Sequence, residues 1–148
     1  MIEHARHVPL RPIPWSESDA AAAIENIVAD ALERFDAERF WPSHPLDDPG
    51  GIRDGHTSFY CGATGVIWGI DYVGRVGATK TRFDFRPILP RLLEASQAEF
   101  SRWKYAAHGS LLFGDLGTAL VVMRLGPAAA IADLGLCAYG CEYDPAGA

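Results

Sequence analysis

The chain has 148 residues, of which 49% are hydrophobic and 22% charged, and its formal net charge is -6. This size and composition are typical of one globular domain, and an acidic chain without clustered Lys and Arg is a poor candidate for binding nucleic acid. The longest apolar runs are much shorter than the roughly 20 residues of a membrane span, and the N-terminus lacks a signal-peptide pattern. The three cysteines, an odd number, favour reduced thiols. We therefore expect a cytoplasmic protein that binds no nucleic acid and has no membrane span.

The N-terminal part predicts an arm followed by a helix. Residues 1–14 contain three prolines and no periodicity, which predicts an extended arm, and residues 15–148 are predicted to form one helical domain. Ser16 is a good N-cap, and Asp19 stands three residues later, where a capping box places an acid. The apolar side chains then recur with the helical period, while charged residues occupy the other side, as in a surface helix. These apolar positions are Ile24, Ile27, Val28, Ala31, Leu32 and Phe35.

A glycine turn precedes the second predicted helix. After a loop rich in proline and glycine over residues 40–55, the sequence from Gly55 reads GHTSFYCGATGVIWGIDYVG. Gly62 and Gly65 are three apart, and two glycines at this spacing leave one helix face without side chains, so that another chain segment can approach it closely. Residues 66–74 leave no polar stripe, which predicts an interior helix buried on every side.

The third and fourth predicted helices repeat this order. A surface helix begins near Asp84, where Pro87 and Pro90 are tolerated because they fall in or close to the first turn. A second glycine turn follows in the stretch AHGSLLFGDLGTALVVMRLG, which starts at Ala107. It leads into residues 116–125, which are again apolar all round and predict a second interior helix.

The two glycine turns are copies of one pattern. Aligning their glycines superimposes His56 on His108 and Ser58 on Ser110, and the shared pattern is H-x-S-x-x-x-G-x-x-G with the turns 52 residues apart. The order of outer helix, glycine turn and inner helix therefore occurs twice, which is typical of a repeat architecture. Residues 128–137 could begin a third outer helix, but the following segment offers it no inner partner.

From about Trp15 to about Gly126 the sequence resembles the N-terminal portion of the lanthionine synthetase C-like protein family. The resemblance rests on the two glycine turns with their inner helices and on two further stretches, WPSHPLDDP and FDFRPILPRLLEASQAEF. It implies an all-α fold, a partial α/α toroid in which inner and outer helices form repeated hairpins, with about two repeats in this chain. In the complete family it implies zinc-dependent addition of cysteine or glutathione thiols to dehydroamino acids in peptides. An active form would be a peptide-modifying cyclase or transferase, and it would need further C-terminal repeats.

The zinc ligands of that family come from later repeats, where a cysteine precedes one glycine turn and a Cys-His pair precedes another. Cys61 is the only cysteine or histidine directly before Gly62 or Gly114, and one thiol cannot replace the three protein ligands of a catalytic zinc. Cys137 and Cys141 are four apart, but no histidine follows them. We therefore expect the chain to hold no metal or other cofactor and to be inactive alone.

Several residues at the turns are candidates for facing a substrate, and each has a structural alternative. The equal offset of the two histidines indicates a common structural role, in which each ring N–H bonds a loop carbonyl or a carboxylate. Ser58 and Ser110 are predicted to be capping residues, and Cys61 is predicted to be a buried thiol that fills space. The substrate-facing candidates are His56, Tyr60, His108 and Asp115. The structural glycines are Gly62, Gly65, Gly114 and Gly117.

A second class of function stays open beside the enzyme. The chain could be a non-catalytic helical repeat module that binds a peptide or a partner protein chain. Two repeats cannot close a ring, so the inner helices should keep an apolar flank, and we expect self-association. A glycosidase-type toroid is less favoured, because it would need a pair of carboxylates and only Asp54, Asp71 and Asp115 lie near the turns.

Overall fold

The computed structural model describes residues 12–43, 56–102 and 110–126. These residues form four α-helices and no β-strand, which confirms the all-α prediction, while the partial α/α toroid stays a prediction. In the described part of the chain, no helix is long and apolar enough to cross a membrane. The helices are α1 (Glu17–Glu33), α2 (Ala63–Arg75), α3 (Leu89–Arg102) and α4 (Asp115–Leu125), and a 3-10 turn (Arg86–Ile88) leads into α3.

Helix α1 begins where the capping signal predicts. The Ser16 hydroxyl accepts the backbone N–H of Asp19 at 3.2 Å, and Val28 lies in the core. The apolar face is narrower than predicted, because Ile27 is 67% exposed. An apolar groove of about 300 Å³ separates this part of α1 from α2.

Glu25, which the helical pattern placed on the solvent side of α1, instead holds the loop that follows α2. Its carboxylate accepts the Thr79 hydroxyl and the Lys80 backbone N–H, each at 2.6 Å. The bond from Thr79, followed by that from Lys80, lowers the pKa of Glu25. Helix α1 is therefore attached to the rest of the fold by a charged anchor as well as by its apolar face.

Helices α2 and α4 lie side by side and run in the same direction. Their N-terminal ends meet where the Tyr60 backbone N–H donates to the Leu112 carbonyl at 3.0 Å. Their C-terminal ends meet where Arg124 Nε donates to Asp71 Oδ2 at 2.8 Å. The two inner helices of the repeat therefore pack directly against each other.

Helix α3 packs against α4 and runs antiparallel to it. Leu89, at the start of α3, lies beside Gly126, directly after α4. A buried chain of hydroxyls links three helices at the centre: Thr118 Oγ1 lies 3.0 Å from Thr64 Oγ1 and 3.2 Å from Ser96 Oγ. Buried hydroxyls need partners, so this chain fixes how the three helices align along their axes.

The prediction that both inner helices are buried on every side is wrong for the described residues. Ile67 and Val121 have no exposed surface, but Tyr72 is 51%, Leu116 40% and Met123 45% exposed. Each inner helix packs on its neighbours on one side, and no described helix covers the remaining flank. A helix that is apolar on all sides therefore predicts that a neighbour packs on each side. It does not show that the described chain supplies that neighbour.

The second glycine of each turn lies against a backbone carbonyl. A Cβ added at Gly65 would collide with the carbonyl oxygen of Phe59, and one added at Gly117 would collide with that of Leu111. The offset of six residues is the same in both repeats. Gly69, one turn further along α2, has no atom within 4 Å of the place that a Cβ would occupy.

We predict opposite effects for two glycine substitutions in one helix. Gly65→Ala should lower the free energy of unfolding by about 2 kcal/mol or more, because the methyl group displaces the Phe59 carbonyl. Gly69→Ala should raise it by up to about 1 kcal/mol, because alanine is the better helix former and the site has room. Urea unfolding followed by circular dichroism measures both, and a change of the same sign in the two variants would contradict the close approach at Gly65.

Candidate functional site: the paired glycine turns

The two glycine turns, residues 56–62 and 110–114, lie together at the N-terminal ends of α2 and α4, and we call this region the turn end. Gly62 and Gly114 are the N-caps of the two helices, with φ, ψ of -134°, -171° and -112°, -175°. The two chain segments therefore enter their helices with nearly the same backbone conformation.

The chain before α2 folds back over the end of that helix. The carbonyls of His56 and Thr57 accept the backbone N–H groups of Ala63 and Thr64, at 2.8 and 3.2 Å. These two donors belong to the first turn, where a helix offers no carbonyl of its own. A Cβ at Gly62 would collide with the backbone of residues 56 and 58, so this cap requires glycine.

Ser58 and Ser110 cap the turns and not the helices. The Ser58 hydroxyl accepts the Cys61 N–H at 3.3 Å, and the Ser110 hydroxyl accepts the Phe113 N–H at 3.2 Å. The predicted capping chemistry is present, but it acts one step earlier, on the segment that precedes each N-cap glycine. The repeated H-x-S-x-x-x-G-x-x-G pattern thus corresponds to a repeated set of contacts.

His56 bonds a carboxylate, one of the two structural partners that its pattern predicted. His56 Nδ1 lies 3.0 Å from Glu99 Oε1, and the two side chains are 19% and 13% exposed. The other oxygen of Glu99 accepts the backbone N–H of Thr57 at 2.8 Å and also its hydroxyl. A carboxylate that accepts from Nδ1–H makes Nε2 the acceptor nitrogen of the neutral ring. Glu99 therefore holds the His56 ring in one orientation.

Glu99 is the residue of the site that the sequence analysis missed. Neither turn carries an acid at an offset that the other repeats, and Glu99 comes from α3, which links the repeats. A signal was present, because Leu92, Ser96 and Glu99 stand at i, i+4 and i+7 on one helix face. Leu92 and Ser96 have no exposed surface, so this face points inward.

Cys61 is exposed, and the expectation of a buried, space-filling thiol is wrong. The residue directly precedes the N-cap Gly62, and its sulfur lies 3.3 Å from the Ser58 hydroxyl. Among the described residues, no three His, Cys, Asp or Glu side chains come close enough to hold a metal ion. His108, Cys137 and Cys141 lie outside the described residues.

The exposed surface of the turn end is aromatic. Tyr60 is 68% and Phe113 53% exposed, and their ring centroids are 5.0 Å apart. The pair joins the two repeats, since each ring comes from a different turn. Asp115, the remaining substrate-facing candidate in the described chain, is the first residue of α4 and is half-buried. Of the three candidates in the described chain, Tyr60 thus has the largest exposed fraction.

No family model, curated protein or solved structure matches the chain. Membership of the lanthionine synthetase C-like family therefore stays a proposal.

We predict that Glu99 stabilises the turn end. Glu99→Ala should lower the free energy of unfolding by about 2–4 kcal/mol, because it leaves the buried Thr57 N–H and hydroxyl without their acceptor. Glu94→Ala is the matched control on the same helix: its side chain is 77% exposed and its carboxylate lies 3.7 Å from Arg91 Nη1, so we expect a change below about 0.5 kcal/mol. Chemical denaturation measures both, and equal losses would contradict the role of Glu99.

Proposed function

We propose that the chain is a lanthionine synthetase C-like helical repeat domain whose turn end contacts a peptide. The observation that carries the proposal is the equivalence of the two glycine turns. Both have an extended N-cap glycine, a serine that accepts an N–H three residues on, and a second glycine against the carbonyl six residues before it. The parallel inner helices and the antiparallel linking helix agree with two consecutive hairpins of an α/α toroid.

The chemistry of the turn end suits a peptide better than a small polar substrate. The Tyr60 and Phe113 rings, inclined at 46° to each other, provide an exposed apolar surface with one phenolic hydroxyl, a combination that is frequent where proteins bind other chains. The Nε2 atom of His56 can accept a hydrogen bond from a peptide amide or a thiol. We assign His56 the role of a positioning residue, which Glu99 holds in one orientation.

The described residues do not fit the zinc site of the family that the chain resembles. That site requires two thiolates and an imidazole around one ion. Here Cys61 is the only cysteine of the described chain, and its sulfur contacts Ser58. No thiol activation can therefore be assigned to these residues, and the proposed activity of the two repeats is binding.

A peptide that contains cysteine and dehydroalanine and carries a fluorescent label tests this proposal. We expect saturable binding by fluorescence anisotropy, weakened about tenfold by Tyr60→Ala, because a stacked aromatic contact at a binding surface contributes on the order of 1–2 kcal/mol. Tyr72→Ala is the matched control, since Tyr72 is also exposed, at 51%, but lies in the second half of α2. Absence of binding, or equal loss in the two variants, would contradict a role of the turn end.

The second candidate, a module that binds a partner chain through the open flank of α4, has its own observation. Leu116, Leu120 and Met123 are 40–45% exposed and stand at i, i+4 and i+7 on one face. Self-association through this flank stays a prediction. If Leu120→Ser weakens peptide binding and Tyr60→Ala does not, this second candidate replaces the first.

The absence of a complete ligand set among the described residues also leads to a prediction about the metal content. Protein purified without chelator should contain far less than one zinc per chain and should add no thiol to a dehydrated peptide. Elemental analysis and mass spectrometry measure the two quantities. A stoichiometric zinc ion that is lost in Cys61→Ala would show that Cys61 is a ligand and would overturn the assignment of the turn as a scaffold.

A further inference from the structure

A second candidate site lies at the opposite end of the inner helices. Since α2 has 13 residues and a helix rises about 1.5 Å per residue, this end is about 20 Å from the turn end. A cavity of about 500 Å³ opens there, between the C-terminal ends of α2 and α4 and the segment that leads into α3. Four arginines and two aspartates are among its lining residues: Arg75, Arg82, Arg86, Arg124, Asp71 and Asp84.

Asp71 positions two of the four guanidinium groups. Its Oδ2 accepts from Arg75 Nε at 2.9 Å and from Arg124 Nε at 2.8 Å, and the Asp71 side chain is only 16% exposed. Both bonds use Nε, so Asp71 does not occupy the terminal nitrogens of either arginine. The Arg124 guanidinium also lies 4.3 Å from the ring centroid of Trp68, a cation–π contact that fixes its plane.

The other two arginines have hydrogen-bond partners as well. Arg82 Nη1 donates to the carbonyls of Thr79 and Thr81, at 2.6 and 3.0 Å. Arg86 binds Asp84 through Nε and Nη2, both at 2.8 Å, and these bonds lower the pKa of Asp84. Each guanidinium group is thus held by a partner that uses only part of its five donors.

We propose that this cavity binds a small phosphate-bearing molecule. Four guanidinium groups against two carboxylates leave two positive charges in excess, and a phosphate monoester carries close to two negative charges at pH 7. Arginine forks match phosphate oxygens in geometry as well as in charge. The carboxylates do not make the cavity a cation site, because each of them already accepts bonds from arginine.

The size of the cavity indicates that the ligand is larger than phosphate alone. About 500 Å³ lies within the range of pockets for small organic molecules. Phe83 lines the same cavity and is 43% exposed, so its ring can cover a planar group attached to the phosphate. We therefore expect an organic phosphate with an aromatic portion to bind more tightly than inorganic phosphate.

Isothermal titration calorimetry at low ionic strength tests this site, with inorganic phosphate, glycerol phosphate and adenosine monophosphate as probes. We expect saturable binding of one molecule per chain, weakened about tenfold by Arg75→Gln and by Arg124→Gln, because each loses charged hydrogen bonds. Arg34→Gln is the matched control. Arg34 Nε pairs with Asp30 at 3.0 Å at the same i, i+4 spacing as Arg75 with Asp71, but outside the cavity, and its loss should leave binding unchanged.

The outcomes are distinct from those of the peptide test. Equal affinity for the three probes would support phosphate alone as the recognised group, and tighter binding of adenosine monophosphate would support the contact with Phe83. Absence of saturable binding, or the same loss in Arg34→Gln, would overturn the proposal. Arg75→Gln stays informative if Arg124→Gln unfolds, since the Arg75 side chain is 54% exposed. Tyr60→Ala should leave phosphate binding unchanged, whichever way the peptide test ends.

Discussion

The contact on which the rest of the described structure depends is the close approach of a backbone carbonyl to a helical glycine. The Phe59 carbonyl occupies the space that a side chain at position 65 would need, and the Leu111 carbonyl does the same at position 117. This approach lets the chain before each inner helix lie against the helix end. In the first repeat it brings the carbonyls of His56 and Thr57 onto the N–H groups that begin α2. The helix start, the placement of His56 and the exposure of Tyr60 all follow from that geometry.

Carboxylates fix the relative positions of the four helices at both ends of the inner pair. Glu25 attaches α1 to the loop after α2, Glu99 attaches α3 to the segment before α2, and Asp71 attaches α2 to α4. A two-repeat arrangement has little interior, as the exposure of Leu116 and Met123 shows. Apolar contacts are non-directional, whereas a carboxylate that accepts two or three defined donors specifies position. The relative positions of the described helices therefore depend on polar anchors as well as on apolar packing.

The features that could be predicted from the sequence are those determined within a few residues. The Ser16 cap and the glycine turns depend on local backbone chemistry, and the repeat pattern places the second turn once the first is identified. Glu99 could not be found in this way, because its partners are more than forty residues away along the chain. The error at Cys61 has a related cause: burial depends on which elements pack nearby, and the small size of a thiol carries no information about that.

The two ends of the inner helices differ in chemistry, and the parallel alignment explains why. Parallel helices place both N-termini at one end and both C-termini at the other. C-terminal carbonyls favour cations, and each inner helix has an arginine in its last turn, Arg75 in α2 and Arg124 in α4. Two cations brought together would repel each other without Asp71 between them. A purely structural role needs no more than the Nε bonds that Asp71 already accepts. The proposal of an anion site rests on the donors beyond those bonds, which lie beside a cavity that Arg82 and Arg86 also line.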